Sequence, residues 1–271
     1  MSVAAGQDTI AAAFAASTSP AGTGKRAALM PYLMGGFPDL GTSLAIGEAY
    51  AAAGADLVEL GVPFSDPLAD GPVIHAAGTA ALAAGATVHG VLEVGRTLSE
   101  AVPVVLMCYA NLVLARGPER FADELAERGL SGLIVPDLPL EEAADVLAAC
   151  DGVGVALVAL VAPTTPEPRL AAIGRSARGF VYTVSVTGTT GERGALADEL
   201  PAIIARTKAH ADVPVALGFG IGTPAAAAQA ADAGADGVIV GSRLVRAAAE
   251  ASAPAAEAGA LVAEFAAALR R

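Results

Sequence analysis

The sequence is poor in the residues from which several kinds of site are built. In 271 residues it has no tryptophan, two lysines (Lys25 and Lys208), three histidines and two cysteines. Cys108 and Cys150 stand alone in apolar surroundings, without a C-x-x-C pair or a disulfide framework, which predicts buried free thiols. His75, His89 and His210 are scattered and lack zinc-ligand spacing, so no metal site is expected. Basic residues number 16 against 28 acidic ones, a formal charge of −12. Binding a nucleic-acid backbone needs clustered Lys and Arg, and neither a basic run nor an interleaved aromatic platform is present. An anionic substrate would have to be held locally, by backbone amides, against an unfavourable overall field. No apolar run approaches the ~18 residues of a membrane span. The segment before Ala27 lacks the basic start of a signal peptide. The expectation is a cytoplasmic protein with no membrane or nucleic-acid partner.

Alanine and glycine are abundant, with 31 glycines and 54% apolar residues. That is ample for a large core, and the length suits an α/β barrel spanning 1–271 as one domain. Four segments share a plan of helix, glycine, then short apolar strand: "AAAGADLVELGVP" from Ala51, "LAERGLSGLIVPD" from Leu125, "SARGFVYTVS" from Ser176 and "AADAGADGVIVGS" from Ala230. Each glycine is expected to take a left-handed conformation at a helix C-terminus. Further strands begin near Leu29, Pro103, Val153 and Val213, bringing the count to eight. They are continuously apolar, as parallel strands covered on both faces should be. Eight strands alternating with helices predict a (β/α)8 TIM barrel; a doubly wound open sheet is the structural alternative. An extra N-terminal helix is expected over Asp8–Ala16, an inserted helix after strand 2 over Gly71–Gly85, and a closing helix after Pro254.

In such barrels the chemistry lies at the C-terminal ends of the strands. That rule selects Glu59 near the end of strand 2, Asp70 in the loop after it, Asp137 after strand 4 and Tyr182 in strand 6. A carboxylate inside "DLVEL" costs several kcal/mol if buried and unpaired, so it is paired with a basic group or its pKa is raised. A raised pKa suits a group that donates and accepts a proton near neutrality. Asp70 taken alone reads equally as a helix cap before "GPVIHAAG". The glycine-rich stretches "VTGTTGERG", "GFGIGTP" and "IVGSRL" follow strands 6, 7 and 8. Gly220, Gly241 and Ser242 would let backbone amides close on a phosphate at a helix N-terminus. Arg243 either pairs with that phosphate or stands solvated on the helix. Residue chemistry thus predicts acid–base catalysis on a small phosphorylated molecule.

The segment "LVELGVPFSDPLADGP" closely resembles the signature of tryptophan synthase α subunits. "MPYLMGGFPD", "MCYANLV", "VPDLPLEE", "GFGI" and "VGSR" extend the resemblance along nearly the whole chain. The resemblance implies retro-aldol cleavage of indole-3-glycerol phosphate to indole and glyceraldehyde 3-phosphate. It implies catalytic roles for Glu59, Asp70 and Tyr182, and substrate contacts from Tyr32, Met107, Tyr109, Thr190, Gly191, Phe219, Gly220, Gly241 and Ser242. Two lids are implied, Pro63–Gly71 and Thr187–Gly194, meeting through Asp66 and Thr190. A β subunit in an α2β2 assembly is also implied, touching Asn111, Pro139 and Pro63–Asp66. The pyridoxal phosphate would belong to that partner, with no cofactor in this chain. Three residues depart from the family pattern: His75 stands for a common glutamine, Thr189 for valine and Met107 for leucine. Another phosphate-binding barrel, a non-catalytic regulatory subunit and a stand-alone indole lyase are the competing readings.

Overall fold

The structure is a computed structural model that describes residues 6–19, 22–184, 193–218 and 220–270. The strands are β1 (Ala28–Met34), β2 (Val58–Gly61), β3 (Val104–Met107), β4 (Gly132–Ile134), β5 (Ala156–Val161), β6 (Val181–Val184), β7 (Val215–Gly218) and β8 (Gly237–Val240). Between and around them run α1 (Gly6–Thr18), α2 (Leu40–Ala52), α3 (Pro72–Ala83), α4 (Val88–Ser99), α5 (Ala110–Leu114) and α6 (Pro118–Glu127). The second half adds α7 (Ala144–Val153), α8 (Glu167–Ser176), α9 (Arg193–Lys208), α10 (Pro224–Asp232), α11 (Ser242–Glu250) and α12 (Pro254–Leu269). Each strand pairs in parallel with its sequence neighbours, and β8 closes on β1 through Ala28↔Gly237 to Pro31↔Val240. The sheet is a closed eight-stranded barrel, and the open-sheet alternative is excluded.

The unbroken apolar strands are explained by two cores sharing each strand. Alternate side chains point to opposite faces of a strand. Met30, Val105, Ile134, Val158, Ala216 and Ile239 fill the barrel interior. The residues between them, including Leu29, Leu60, Leu106, Leu133, Leu217 and Val238, pack outward against the helices.

The lower mouth is plugged by α1. Ile10 and Phe14 enter the interior cluster, and Phe14 lies 5.7 Å from Phe180 between ring centroids. Gly237 and Gly132 make room for the plug: added Cβ atoms would stand 2.8 Å from Phe14 Cε1 and 3.2 Å from Ile10 Cδ1. Beneath β1, buried Lys25 donates from Nζ to Asp56 Oδ2 at 2.7 Å and to the Gly54 carbonyl at 2.6 Å. The Arg26 amide donates to the Leu269 carbonyl at 2.7 Å, tying α12 to the start of the barrel.

The left-handed glycines are found where expected after three helices: Gly54, Gly129 and Gly234 have φ of +100°, +72° and +98°. Gly179 is also left-handed, at +67°, but it sits beyond the end of α8, in the turn entering β6. A strand beginning at Val153 is not observed. That residue ends α7, which closes on left-handed Gly154, and β5 starts at Ala156. The leading, inserted and closing helices are α1, α3 and α12. Cys108 and Cys150 are buried free thiols, and burial pushes Cys150 up to about 12. Among the described residues, no single helix is long and apolar enough to cross a membrane.

Candidate active site

Among the described residues, the upper ends of the strands carry what the lower ends do not, a buried acid with an oxygen that accepts no hydrogen bond. Glu59 pairs in register with Tyr32 of β1 and Val105 of β3, and it is 1% exposed. Its Oε2 is buried and accepts no hydrogen bond, and no ion pair reaches the side chain among the described residues. The paired-acid reading is therefore replaced by the raised-pKa one. Burial, and secondarily the Asp70 charge, push Glu59 up to about 8. At neutral pH it holds its proton, and small changes in its surroundings would release it.

Two tyrosines flank this acid. Burial raises the Tyr32 phenol, with the Asp70, Glu59 and Tyr109 charges adding to the shift; Tyr182 is raised by burial, then by Glu59 and Tyr32. Each ring lies across a strand-end glycine. A Cβ on Gly61 would come 2.1 Å from Tyr32 Oη, and one on Gly218 2.3 Å from Tyr182 Oη. Any side chain at these two positions would displace the ring above it. Met107, half-buried at the end of β3, packs between the cluster containing Tyr182 and the one containing Tyr32.

Asp70 enters from the loop after β2. It does not cap α3, whose N-cap is Gly71 without a side-chain bond. Its Oδ1 instead accepts from Tyr109 Oη at 2.8 Å. Burial raises Asp70, while the Tyr109 hydrogen bond and the nearby His75 pull it back down. Two carboxyls thus share one mouth under different constraints, Glu59 enclosed and Asp70 hydrogen-bonded at the rim. Asp137 is not part of this pair. Its Oδ1 accepts from the Ala110 amide at 2.8 Å and so secures the start of α5.

The described glycines of the loops after β7 and β8 lie on the same mouth. Gly220, left-handed at φ +78°, follows β7 and is exposed. Gly241 precedes α11, and a Cβ added there would stand 3.7 Å from Tyr32 Cβ, which brings this helix N-terminus beside the acids. Ser242 and Arg243 are exposed in its first turn. Amides in the first turn of a helix have no partner within it and can accept an anion. In the segment expected to form the first lid, Asp66 is exposed and accepts locally from Ser65 Oγ at 2.6 Å. Thr189, Thr190, Gly191 and Phe219 lie outside the described residues. Among the described residues, no group of three or more His, Cys, Asp or Glu side chains could share a metal ion.

Three features of the site were not legible in the sequence: the floor role of Gly61, that of Gly218, and the grip of Tyr109 on Asp70. The glycines end the apolar runs "VELG" and "VALG", yet nothing local says which ring lies above them. Strand adjacency settles it for Gly218, which neighbours Val184 on the strand carrying Tyr182, and for Gly61, which neighbours Met34 on the strand carrying Tyr32.

Comparison with known proteins places the chain in a family. The family model for the tryptophan synthase alpha chain matches residues 19–270. A tryptophan synthase alpha chain from Prochlorococcus marinus is 51% identical over 223 residues, 82% of this chain and 81% of the relative. The alpha chain from Methanosarcina mazei is 47% identical over 222 residues, 82% of this chain and 81% of that one. A solved tryptophan synthase structure from Mycobacterium tuberculosis superposes with a TM-score of 0.88 at 41% identity, covering 97% of this chain and 98% of that one. The alpha subunit from Legionella pneumophila gives 0.87 at 35% identity, covering 96% and 98%. With the enclosed acid, its hydrogen-bonded companion and the anion-ready helix end on one barrel mouth, these matches establish that the chain belongs to the tryptophan synthase alpha chain family.

Proposed function

We propose that this chain cleaves indole-3-glycerol phosphate to indole and glyceraldehyde 3-phosphate by a retro-aldol reaction, as the alpha subunit of tryptophan synthase. The observation that carries the residue assignment is Glu59, a buried acid whose Oε2 lacks any partner and whose pKa is pushed up to about 8. In the reaction, indole C3 gains a proton and the C3′ hydroxyl loses one. The C3–C3′ bond breaks, its electrons return to the indole ring, and C3′ becomes the aldehyde carbon. Glu59 is the group that delivers and takes these protons. Asp70 faces the indole N–H and stabilises the cation that forms on the protonated ring. Tyr182 and Tyr32 bracket the glycerol and indole portions, with Met107 and Tyr109 bordering the indole. Gly220, Gly241 and Ser242, with Gly191 and Phe219, receive the phosphate and close the pocket around the substrate. Asp66 and Thr190 join the two lids when substrate is bound, excluding water.

The partner is a tryptophan synthase beta subunit in an α2β2 assembly, with the pyridoxal phosphate held by that partner, and the setting is the cytoplasm. Exposed Asn111 and Pro139 and the Pro63–Asp66 segment lie on the docking face. Leu68 at 89% exposure and Leu114 at 57% add apolar surface to the neighbouring loops. The test is indole release from indole-3-glycerol phosphate, followed by fluorescence against a chain that contains no tryptophan. Weak release alone and strong release with a beta subunit are expected, with Asp70→Asn lowering it by ~10²–10³-fold. No indole under either condition would refute the reaction.

A further inference from the structure

The end of β3 reaches across to the loop that carries Asp70, and one hydroxyl makes the connection. Tyr109 Oη donates to Asp70 Oδ1 at 2.8 Å and accepts from the Ala69 amide at 3.0 Å. The Tyr109 ring stacks on Phe64 of the same loop, with centroids 5.2 Å apart and planes 23° from parallel. The loop is thus held at three successive points, a ring, an amide and a carboxylate, by one side chain. Tyr109 is itself well placed to hold them. It is the N-cap of α5, whose first amide is secured by Asp137.

We propose that Tyr109 is a positioning residue of the reaction: its hydroxyl fixes the orientation of Asp70 and keeps that carboxyl in its acceptor form. This rests on the reading of Asp70 given above. A phenol that donates to Oδ1 prefers the ionised carboxylate, since a protonated carboxyl accepts less strongly. Oδ2 accepts no hydrogen bond among the described residues, so one oxygen remains for a substrate N–H. The hydroxyl has little capacity left for a substrate group, its donor being committed to Asp70 and one lone pair to Ala69.

The charged and titratable groups around Asp70 are identifiable. His75 on α3 and the Tyr109 phenol on the β3 side hold its carboxyl down, while its enclosure at the rim raises it. Glu59 on β2 and Tyr32 on β1 feel its charge in turn. Removing the Tyr109 hydroxyl leaves desolvation opposed only by His75, so Asp70 titrates at higher pH.

The experiment compares the full chain, with its beta subunit, against Tyr109→Phe. Turnover is followed as a function of pH, and the Asp70 carboxyl is titrated by carbon NMR in the substrate-free chain. The expected result is a kcat lowered roughly tenfold or more, the size of a lost hydrogen bond to a charged group. The acid limb of the profile should move to higher pH, together with the Asp70 titration. In the unaltered chain, the Tyr109 ring-carbon shift should follow the Asp70 titration, a readout that needs no variant. A raised KM with the acid limb and both titrations unmoved would overturn the proposal, leaving Tyr109 as a substrate contact only. If the unaltered chain releases no indole while the two titrations remain coupled, the reaction is wrong and the Tyr109–Asp70 linkage stands.

Discussion

The barrel buries a charged-type side chain at each mouth, Lys25 below and Glu59 above, and the two are treated in opposite ways. At the lower mouth Lys25 is 2% exposed, and its ammonium meets a carboxylate and a carbonyl. That carboxylate, Asp56, also accepts the Leu29 amide at 2.7 Å. At the upper mouth Glu59 is 1% exposed and has an oxygen with no partner. Leaving a polar atom buried without a partner costs about 1–3 kcal/mol, and for a carboxyl the enclosure also favours the protonated form. The small residues follow the same division. Gly132 and Gly237 below make room for an apolar plug, whereas Gly61 and Gly218 above make room for phenols. At the lower end the buried ammonium and carboxylate satisfy each other, although Arg26 Nε there is buried without a partner; at the upper end the enclosed carboxyl keeps an unmet demand for a proton and a hydrogen bond, which a substrate can supply.

This contrast would break first at Glu59. Glu59→Gln should reduce indole release by ~10²–10⁴-fold, the usual contribution of a positioned acid–base group, while the chain still folds. A loss of folding in step with activity would show that the acid is structural. Lys25→Ala is the mirror experiment. It strands the Asp56 carboxylate in the lower core and should cost about 3–5 kcal/mol in urea unfolding, with turnover per folded molecule unchanged. If turnover fell instead, the two mouths would not be separable.

The glycines sharpen the division further. Gly61→Ala and Gly237→Ala each force a Cβ against a ring, at 2.1 Å from Tyr32 Oη and 2.8 Å from Phe14 Cε1. Each should destabilise by about 1–3 kcal/mol as an overpacked site. Only the first should raise KM for indole-3-glycerol phosphate, because only the first moves a ring beside Glu59. A further test concerns pH. Glu59 is raised from 4.5 to about 8, so the folded chain keeps a proton that the unfolded chain releases. Its contribution to stability is complete below about 4.5 and is lost as pH climbs through about 8. Thermal midpoints of Glu59→Gln and the unaltered chain should therefore diverge in favour of the variant between pH 5 and pH 9. A constant difference across that range would mean that Glu59 titrates normally.

Much of this architecture was legible because its signals are local. A glycine placed after an alanine-rich helix marked the ends of α2, α6 and α10, since few other residues accept a left-handed backbone. Unbroken apolar runs marked strands buried on both faces. The same locality explains the misplaced start of β5, where the apolar run from Val153 begins inside the last turn of α7. Apolar character alone does not distinguish the end of a helix from the start of a strand. Asp70 shows the corresponding limit at the site. An acid before "GPVIHAAG" satisfies the local rule for a helix cap, yet its carboxylate is taken by Tyr109, 39 residues away.

The sequence by itself determined the barrel, the acid in its second strand, the glycine-rich loops and the family, because each is encoded in residues close together along the chain. Only the tertiary structure decided that Glu59 Oε2 is enclosed without a hydrogen bond and that Asp70 is held by Tyr109. It also decided that Asp137 secures α5, and that Gly61 and Gly218 lie beneath tyrosines. Those outcomes depend on which side chains meet across strands brought together by barrel closure. Burial, which sets the acidity of Glu59, exists only once all eight strands are in place.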